Sequence, residues 1–305
     1  MFLSPYLIAG DRILLTFSWI LAVLVIFYGG DSCTAGFISA ASIVLAAMVI
    51  PWLRERYGNN GLRLLHILYI IPALYVLYPP AIQVGRNLHS HDFDATIISI
   101  DRFLFAGADP TRWLYQHIHI PPLSVEVLQI CYYAHYLYPL ILGTELFIRR
   151  KELEIERYRM LMVYGSSFSF VGNMLVPAIG PRITLHEFAN LGAELPGLWL
   201  TTPMRAMLNT AEGISATMTS SVAALTVFRD AFPSGHTMLT LFTLWTAFHV
   251  RARVRWFLLP LGTGLIISTV LLRYHYVTDV LAGFVFAAFV IWTAPTVAKV
   301  LGKKF

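Results

Sequence analysis

The run WFLLPLGTGLIISTVLLRYHYVTDVLAGFVFAAFVIWTAPTVA, residues 256–298, decides the fold. Two apolar stretches, 256–273 and 277–298, are joined by the polar turn Arg273-Tyr274-His275-Tyr276-Val277-Thr278-Asp279. A bilayer core of about 30 Å takes roughly 20 mostly apolar residues per helix. Each stretch therefore reads as a membrane span, and the turn between them as a polar group placed at the membrane edge. The rest of the chain shares this bias: 57% of its 305 residues are hydrophobic and 13% charged, against about 25% charged in globular proteins. Twenty-two Lys and Arg with seventeen Asp and Glu cannot cover a soluble surface of this size, which excludes a soluble enzyme.

The same criterion marks eight candidate spans, near 13–29, 36–53, 64–84, 122–148, 160–180, 236–250, 256–273 and 277–298, and predicts an all-α integral membrane protein. The first apolar run begins only after Arg12, with no small-residue cleavage site behind it, so an uncleaved anchor is expected. With a cytoplasmic N-terminus, the inner side receives Arg12, Arg54, Arg56, Arg63, Arg149, Arg150, Lys151, Arg157, Arg159, Arg251, Arg253, Arg255, Lys299, Lys303 and Lys304. Arg86, Arg102, Arg112, Arg182, Arg205, Arg229 and Arg273 remain outside. The excess of inner positive charge predicts that both termini are cytoplasmic. The net charge of +5 is thereby read as a topology signal and not as a nucleic-acid surface. Segments 85–121 and 183–235 then face outward. The first alternates apolar and polar residues, as an amphipathic helix on the membrane surface or a lipid-entry rim would. An N-terminal part, 1–121, is expected to precede a catalytic membrane part, 122–305, built from the last five spans.

Polar residues beside membrane spans are costly and mark function. They collect in three groups: Gly180-Pro181-Arg182, Asp230-Ala231-Phe232-Pro233-Ser234-Gly235-His236-Thr237, and the turn 273–279. Alternating span directions put all three on the outer face. Pro233, Ser234 and Gly235 before an apolar run read as a helix start, where backbone N–H groups and the dipole attract phosphate. His236 would sit at the bound anion and donate a proton to a leaving oxygen. His275 and Asp279 are four apart; a carboxylate on one imidazole nitrogen leaves the other free to attack phosphorus. Arg182 and Arg273 are guanidinium forks that match phosphate oxygens.

These residues resemble the type 2 phosphatidic acid phosphatase superfamily, whose signature is Pro-Ser-Gly-His followed some tens of residues later by His-x-x-x-Asp. The resemblance covers roughly 165–290. It implies that His275 is a nucleophile forming a phosphohistidine, Asp279 its orienting partner, His236 the general acid and Arg182 a phosphate ligand. The family's first motif, Lys-x6-Arg-Pro, is altered: Leu175 stands seven residues before Arg182, and Pro181 precedes the arginine. In its third motif, Ser-Arg-x5-His-x3-Asp, Ser268 is followed here by Thr269, and Arg273 is the expected replacement for the missing arginine. A narrower similarity is to the sphingolipid synthases, which include inositol phosphorylceramide synthases. Their Asp-x-x-x-Ser-Gly-His-Thr matches Asp230, Ser234, Gly235, His236 and Thr237; their His-Tyr-x-x-Asp-Val matches His275, Tyr276, Asp279 and Val280.

Plainer roles compete at several positions. Arg182 and Arg273 could cap helix ends or snorkel. Asp230 reads as a helix cap or a chemical group, and Ser234 as a cap whose N–H helps hold phosphate. His135 in the fourth span is a core histidine or a proton relay, and Asn173 faces the same cavity as Arg182 or bonds a neighbouring helix. Two cysteines, Cys33 and Cys131, and the unpaired spacing of the other histidines give no metal site. The expectation is an enzyme without metal or cofactor, acting on a membrane lipid phosphoester by headgroup transfer, with hydrolysis at the same site as the alternative. A transporter would instead spread polar residues through several spans.

Overall fold

The computed structural model describes residues 6–303, so Lys304 lies outside the described residues. The described chain is all-helical. Helix α1 spans Ala9–Tyr28, α2 Cys33–Tyr57, α3 Asn60–Leu68, α4 Ile70–Leu88, α5 Asp94–Leu104, α6 Pro110–His117, α7 Pro122–Tyr133, α8 Tyr138–Ile148 and α9 Glu152–Leu175. Short turns follow, α10 Pro181–Thr184 and α11 Leu191–Glu194, then α12 Thr201–Ala211 and α13 Ser220–Ala223. The chain ends with α14 Gly235–His249, α15 Arg255–Leu271 and α16 Val277–Val300.

Helices occupy all eight apolar runs, and four segments, Ala9–Tyr28, Gly30–Tyr57, Asn60–Leu88 and Val277–Val300, are long and apolar enough to cross a membrane. Asn60–Leu88 is interrupted at Tyr69, near Pro72, and still qualifies. Other runs depart for local reasons: Pro139 supplies no N–H to the carbonyl four residues earlier, and the run expected at 122–148 breaks nearby, at the 3₁₀ turn Ala134–Tyr136. The run expected at 160–180 starts earlier, at charged Glu152, and stops at Leu175. Pro177 follows, and 176–180 leave the helix to enter the site instead of completing a span. Outward-facing apolar side chains such as Val285 and Trp292 of α16 are exposed, as lipid-facing residues would be.

The central core joins α1, α4, α9, α14 and α16 through residues such as Leu14, Leu77, Leu161, Phe242 and Val290. One end of the bundle carries the basic loops. There Asp11 is fully buried and accepts bonds from Tyr69 Oη (2.6 Å), His66 Nε2 (2.9 Å) and Arg159 (3.1 Å). The opposite end is covered by segment 183–235, whose turns pack Ile183, Phe188, Leu191 and Ile214 against Val125, Tyr132 and Tyr274.

Segment 85–121 does more than lie on a surface. The buried face of α5 presents Asp94, Ile97 and Asp101, three positions on one side of a helix. Asp94 accepts from the N–H groups of Ile179 and Gly180, both at 2.9 Å, and from Tyr276 Oη at 2.7 Å. Asp101 accepts from Val277 N (3.1 Å), Thr278 N (2.8 Å) and Thr278 Oγ1 (2.6 Å), capping α16. A carboxylate at a helix start satisfies N–H groups that have no intrahelical acceptor and complements the dipole.

Asp101→Ala leaves those donors buried and unpaired, at a cost of about 1–3 kcal/mol; the melting midpoint of detergent-purified protein is expected to fall by several degrees. An unchanged midpoint would show that α16 does not depend on this cap. His186, within the outer cover, gives a pH signature. Burial first, then Arg273 and Arg112, push its imidazole down to about 3, whereas an unfolded histidine titrates near 6.5. Between those values the unfolded chain binds the extra proton, so stability is lost as pH falls through this window. The drop in melting midpoint between about pH 7 and pH 4 is expected to shrink in His186→Gln.

Candidate active site

The three polar groups converge at the covered end of the bundle. Ser234 caps α14: its Oγ accepts from Thr237 N (3.3 Å) and Thr237 Oγ1 (3.0 Å), while its own N–H donates to the Asp279 carbonyl at 3.1 Å. The α14 start is thus tied to α16. Close packing makes this possible, since a Cβ at Gly172 of α9 would lie 2.4 Å from Pro233 Cδ. Asn173, with its amide oriented by its neighbours, donates to the carbonyls of Phe232 (2.8 Å) and Ser169 (3.2 Å). It therefore lines the cavity and braces the 230–236 loop at once.

His275 lies just before α16, not within it, and Asp279 occupies the first turn of that helix. The carboxylate accepts from Tyr276 N at 2.8 Å and stands 3.5 Å from His275 Nδ1. The closer partner of Nδ1 is the Ala231 carbonyl at 2.8 Å. A carbonyl oxygen can only accept, so Nδ1 carries the proton and Nε2 presents a lone pair. Nε2 is 3.3 Å from Nδ1 of His236; since Nε2 is the acceptor, His236 Nδ1 is the donor. One histidine is arranged as a nucleophile and its neighbour as an acid. The His236 ring stacks on Tyr132 (4.7 Å between centroids) and meets His135 edge-on at 4.6 Å. His135, in the 3₁₀ turn after α7, donates from Nδ1 to the Tyr132 carbonyl of α7 at 2.7 Å, not to a neighbouring span.

His236, His275, Gly235, Asn173, His135, Asp230 and Arg182 all line one cavity of about 370 Å³. Arg182 is buried and ion-paired with Glu212. Burial alone would push Arg182 down, but Glu212 holds its guanidinium above the ordinary range, while burial raises the Glu212 carboxyl. Asp230 does not cap α14; its carboxylate accepts from Tyr78 Oη. Glu212, Tyr78, Tyr132 and the Ala231 carbonyl belong to the site and carry no motif that sequence reading could have used.

Arg273 is a correction. Expected at the phosphate, it is absent from the catalytic cavity: its side chain is 2% exposed, paired with Glu194 and stacked under Tyr115 at 4.6 Å. Its backbone adopts a left-handed conformation after α15 (φ 66°), which directs the side chain away from His275.

The sequence pattern of the PAP2 superfamily matches residues 95–293, and the chain belongs to that superfamily. The match reaches back from the two histidine motifs to include most of α5 and its Asp101. No curated protein and no solved structure matches the chain. Members of the superfamily are phosphoesterases or phosphotransferases, and this protein is an enzyme of that group, acting on phosphate esters.

Gly172→Ala is expected to displace the Pro233–Ser234 loop and lower kcat by at least tenfold, corresponding to about 1.4 kcal/mol of barrier, with the fold retained. Asp279→Asn should lower kcat more than it raises KM, since it disturbs imidazole orientation while leaving the cavity walls in place. Equal loss in both parameters would mark Asp279 as a general structural support.

Proposed function

We propose that this enzyme is a lipid phosphotransferase that moves a phospho-headgroup from a phospholipid to a lipid alcohol through a phosphohistidine at His275, in the manner of inositol phosphorylceramide synthases. The observation that carries the reading is the shape of the catalytic cavity. From the histidines it follows α9 through Asn173, Phe170, Ser166, Met162, Arg159 and Ile155, a run of about 27 Å at 1.5 Å per residue. Its sides are largely apolar, with Ile67, Ile71, Leu74 and Leu239 among them. α4 and α8 flank α9 without an extended interface between them, and the stacked pair Tyr75 and Tyr136 lies between them. A reaction centre joined to an apolar cavity of bilayer depth suits an acyl chain far better than a soluble phosphoester.

In the first step Nε2 of His275 attacks phosphorus, the P–O bond to the departing diacylglycerol breaks, and His236, entering the step as an imidazolium, delivers a proton to that oxygen and is left neutral. In the second, an acceptor hydroxyl attacks phosphorus, gives its proton to His236, and the P–N bond breaks. Arg182, freed from Glu212, and the N–H groups at the α14 start offset the charge on the phosphoryl oxygens. The similarity of Asp230 to Thr237 and of His275 to Val280 to the sphingolipid synthase patterns supports a lipid alcohol as acceptor. Water is the second reading, favoured by the polar head of the cavity, where Ser169, Glu212 and Asp230 can hold one. The positive charge at the far end supports an outer-face site with both termini cytoplasmic.

Purified protein supplied with phosphatidylinositol and ceramide is expected to form inositol phosphorylceramide and diacylglycerol. Release of free inositol phosphate, or of phosphate from phosphatidate or a polyprenyl diphosphate, would place the enzyme with the phosphatases. His275→Ala should abolish either activity, by at least about 10³-fold; full turnover would overturn the histidine mechanism.

A further inference from the structure

A second cavity, of about 260 Å³, lies beside the catalytic one and shares no lining residue with it; Thr111, Tyr115, His117, His119, Glu194 and Arg273 are in its wall. Arg273 is buried, yet among the described residues its Nη2 has no hydrogen-bond partner. Arg205 of α12 stands close by. It donates from Nη1 to the carbonyl of Leu195, a residue of this cavity's wall, at 2.8 Å, and its own Nη2 is also unpartnered among the described residues. The two guanidiniums are near enough that Arg273 adds to the burial that lowers Arg205. Arg273 is paired with Glu194, whose side chain is 18% exposed, while Arg205 bonds only to neutral acceptors, the Leu195 carbonyl and Gln129 Oε1 at 3.4 Å.

Buried guanidinium N–H groups without acceptors are expensive, and their persistence here marks an anion site whose ligand brings more acceptors than Glu194 does. We propose that this cavity is a second, non-catalytic binding site for a phosphate group, which displaces Glu194 and bridges Arg273 and Arg205. A carboxylate is the monoanion already present. A phosphate dianion neutralises both arginines and offers a third oxygen to the orphan N–H groups. His117 and His119 complete the polar part of the wall. The site is coupled to catalysis by the chain itself: Arg273 is two residues, about 7 Å at full extension, from His275. The intervening Tyr274 stacks on Tyr132 at 4.2 Å, and Tyr132 in turn on His236.

The phosphate could be inorganic or the headgroup of a lipid at the outer interface, where Trp113 and Ile118 are exposed. Full-length protein in neutral detergent is titrated with radiolabelled inorganic phosphate and, separately, with a non-hydrolysable phosphonate analogue of phosphatidate. Glu194→Gln removes the competing carboxylate and is expected to tighten binding of at least one probe about tenfold. Arg273→Gln or Arg205→Gln in that background should abolish the gain. Tightening for inorganic phosphate assigns the free anion, and tightening for the phosphonate lipid alone assigns the headgroup. If Glu194→Gln binds both probes as wild type does, or the gain survives loss of Arg273, the proposal is overturned. Should Arg273→Gln fail to fold, Arg205→Lys, which keeps the charge but not the fork, is expected to lose most of the gain.

Discussion

Two carboxylates on one face of α5 anchor the chain segments that lead into Arg182, His275 and Asp279. Asp94 holds the 179–180 backbone and the Tyr276 hydroxyl, and Asp101 holds the first turn of α16. The chain entering Arg182, the turn bearing His275 and the helix bearing Asp279 are thus fastened to a single short helix. Buried backbone donors must be paired somewhere, and at this end of the bundle the regular helices have stopped. Carboxylates take over the role that intrahelical carbonyls play elsewhere. The same device recurs away from the site: Glu126 accepts from four successive N–H groups at Leu198–Thr201, and Glu145 from Arg253 and Val254. A protein with few acids spends a large share of them on helix starts.

That economy explains what could be read from the chain and what could not. Each of the eight apolar runs bounded by charge falls on helix, because long hydrophobic runs beside lipid must satisfy their backbone groups internally, while α5, α6 and α12 lie outside those runs. The histidine motifs brought His236, His275 and Asp279 forward as candidates, because their spacing is local in sequence. The partners were not legible. Asp94 and Asp101 sit in a segment whose apolar alternation reads as a surface helix, and nothing local reveals that its polar face clamps chain some eighty and one hundred and eighty residues away. The Ala231 carbonyl is a backbone atom, and no residue type announces it. Its role as the nearer partner of His275 Nδ1 depends on where the 230–236 loop is folded back.

Arg273 illustrates the opposite failure. Its nearness to His275 in sequence made it a natural phosphate ligand, but a helix that ends in a left-handed residue turns the next side chains apart. His275 goes inward to the cavity and Arg273 outward to Glu194 and Tyr115. Proximity along a chain is informative within a regular helix, where the i and i+4 positions share a face. It says little across a helix terminus.

The electrostatics of the catalytic cavity impose an order on binding. A phosphoester carries negative charge toward a space that already contains Glu212 and Asp230 against Arg182, so it cannot simply be added to the resting arrangement. Either Arg182 exchanges one carboxylate for the phosphate, or a carboxylate is neutralised. Glu212 is the group on which both routes meet. It is the resident partner of Arg182, and burial raises its pKa, so losing the arginine to an incoming phosphate removes the interaction that keeps it ionised. On the proposed mechanism, substrate binding would be linked to proton uptake at Glu212, and the resting ion pair keeps Arg182 from being buried unpaired. Proton uptake at Glu212 would then offset the charge that the phosphoryl group brings, so that binding would add no net negative charge beside the attacking Nε2 lone pair.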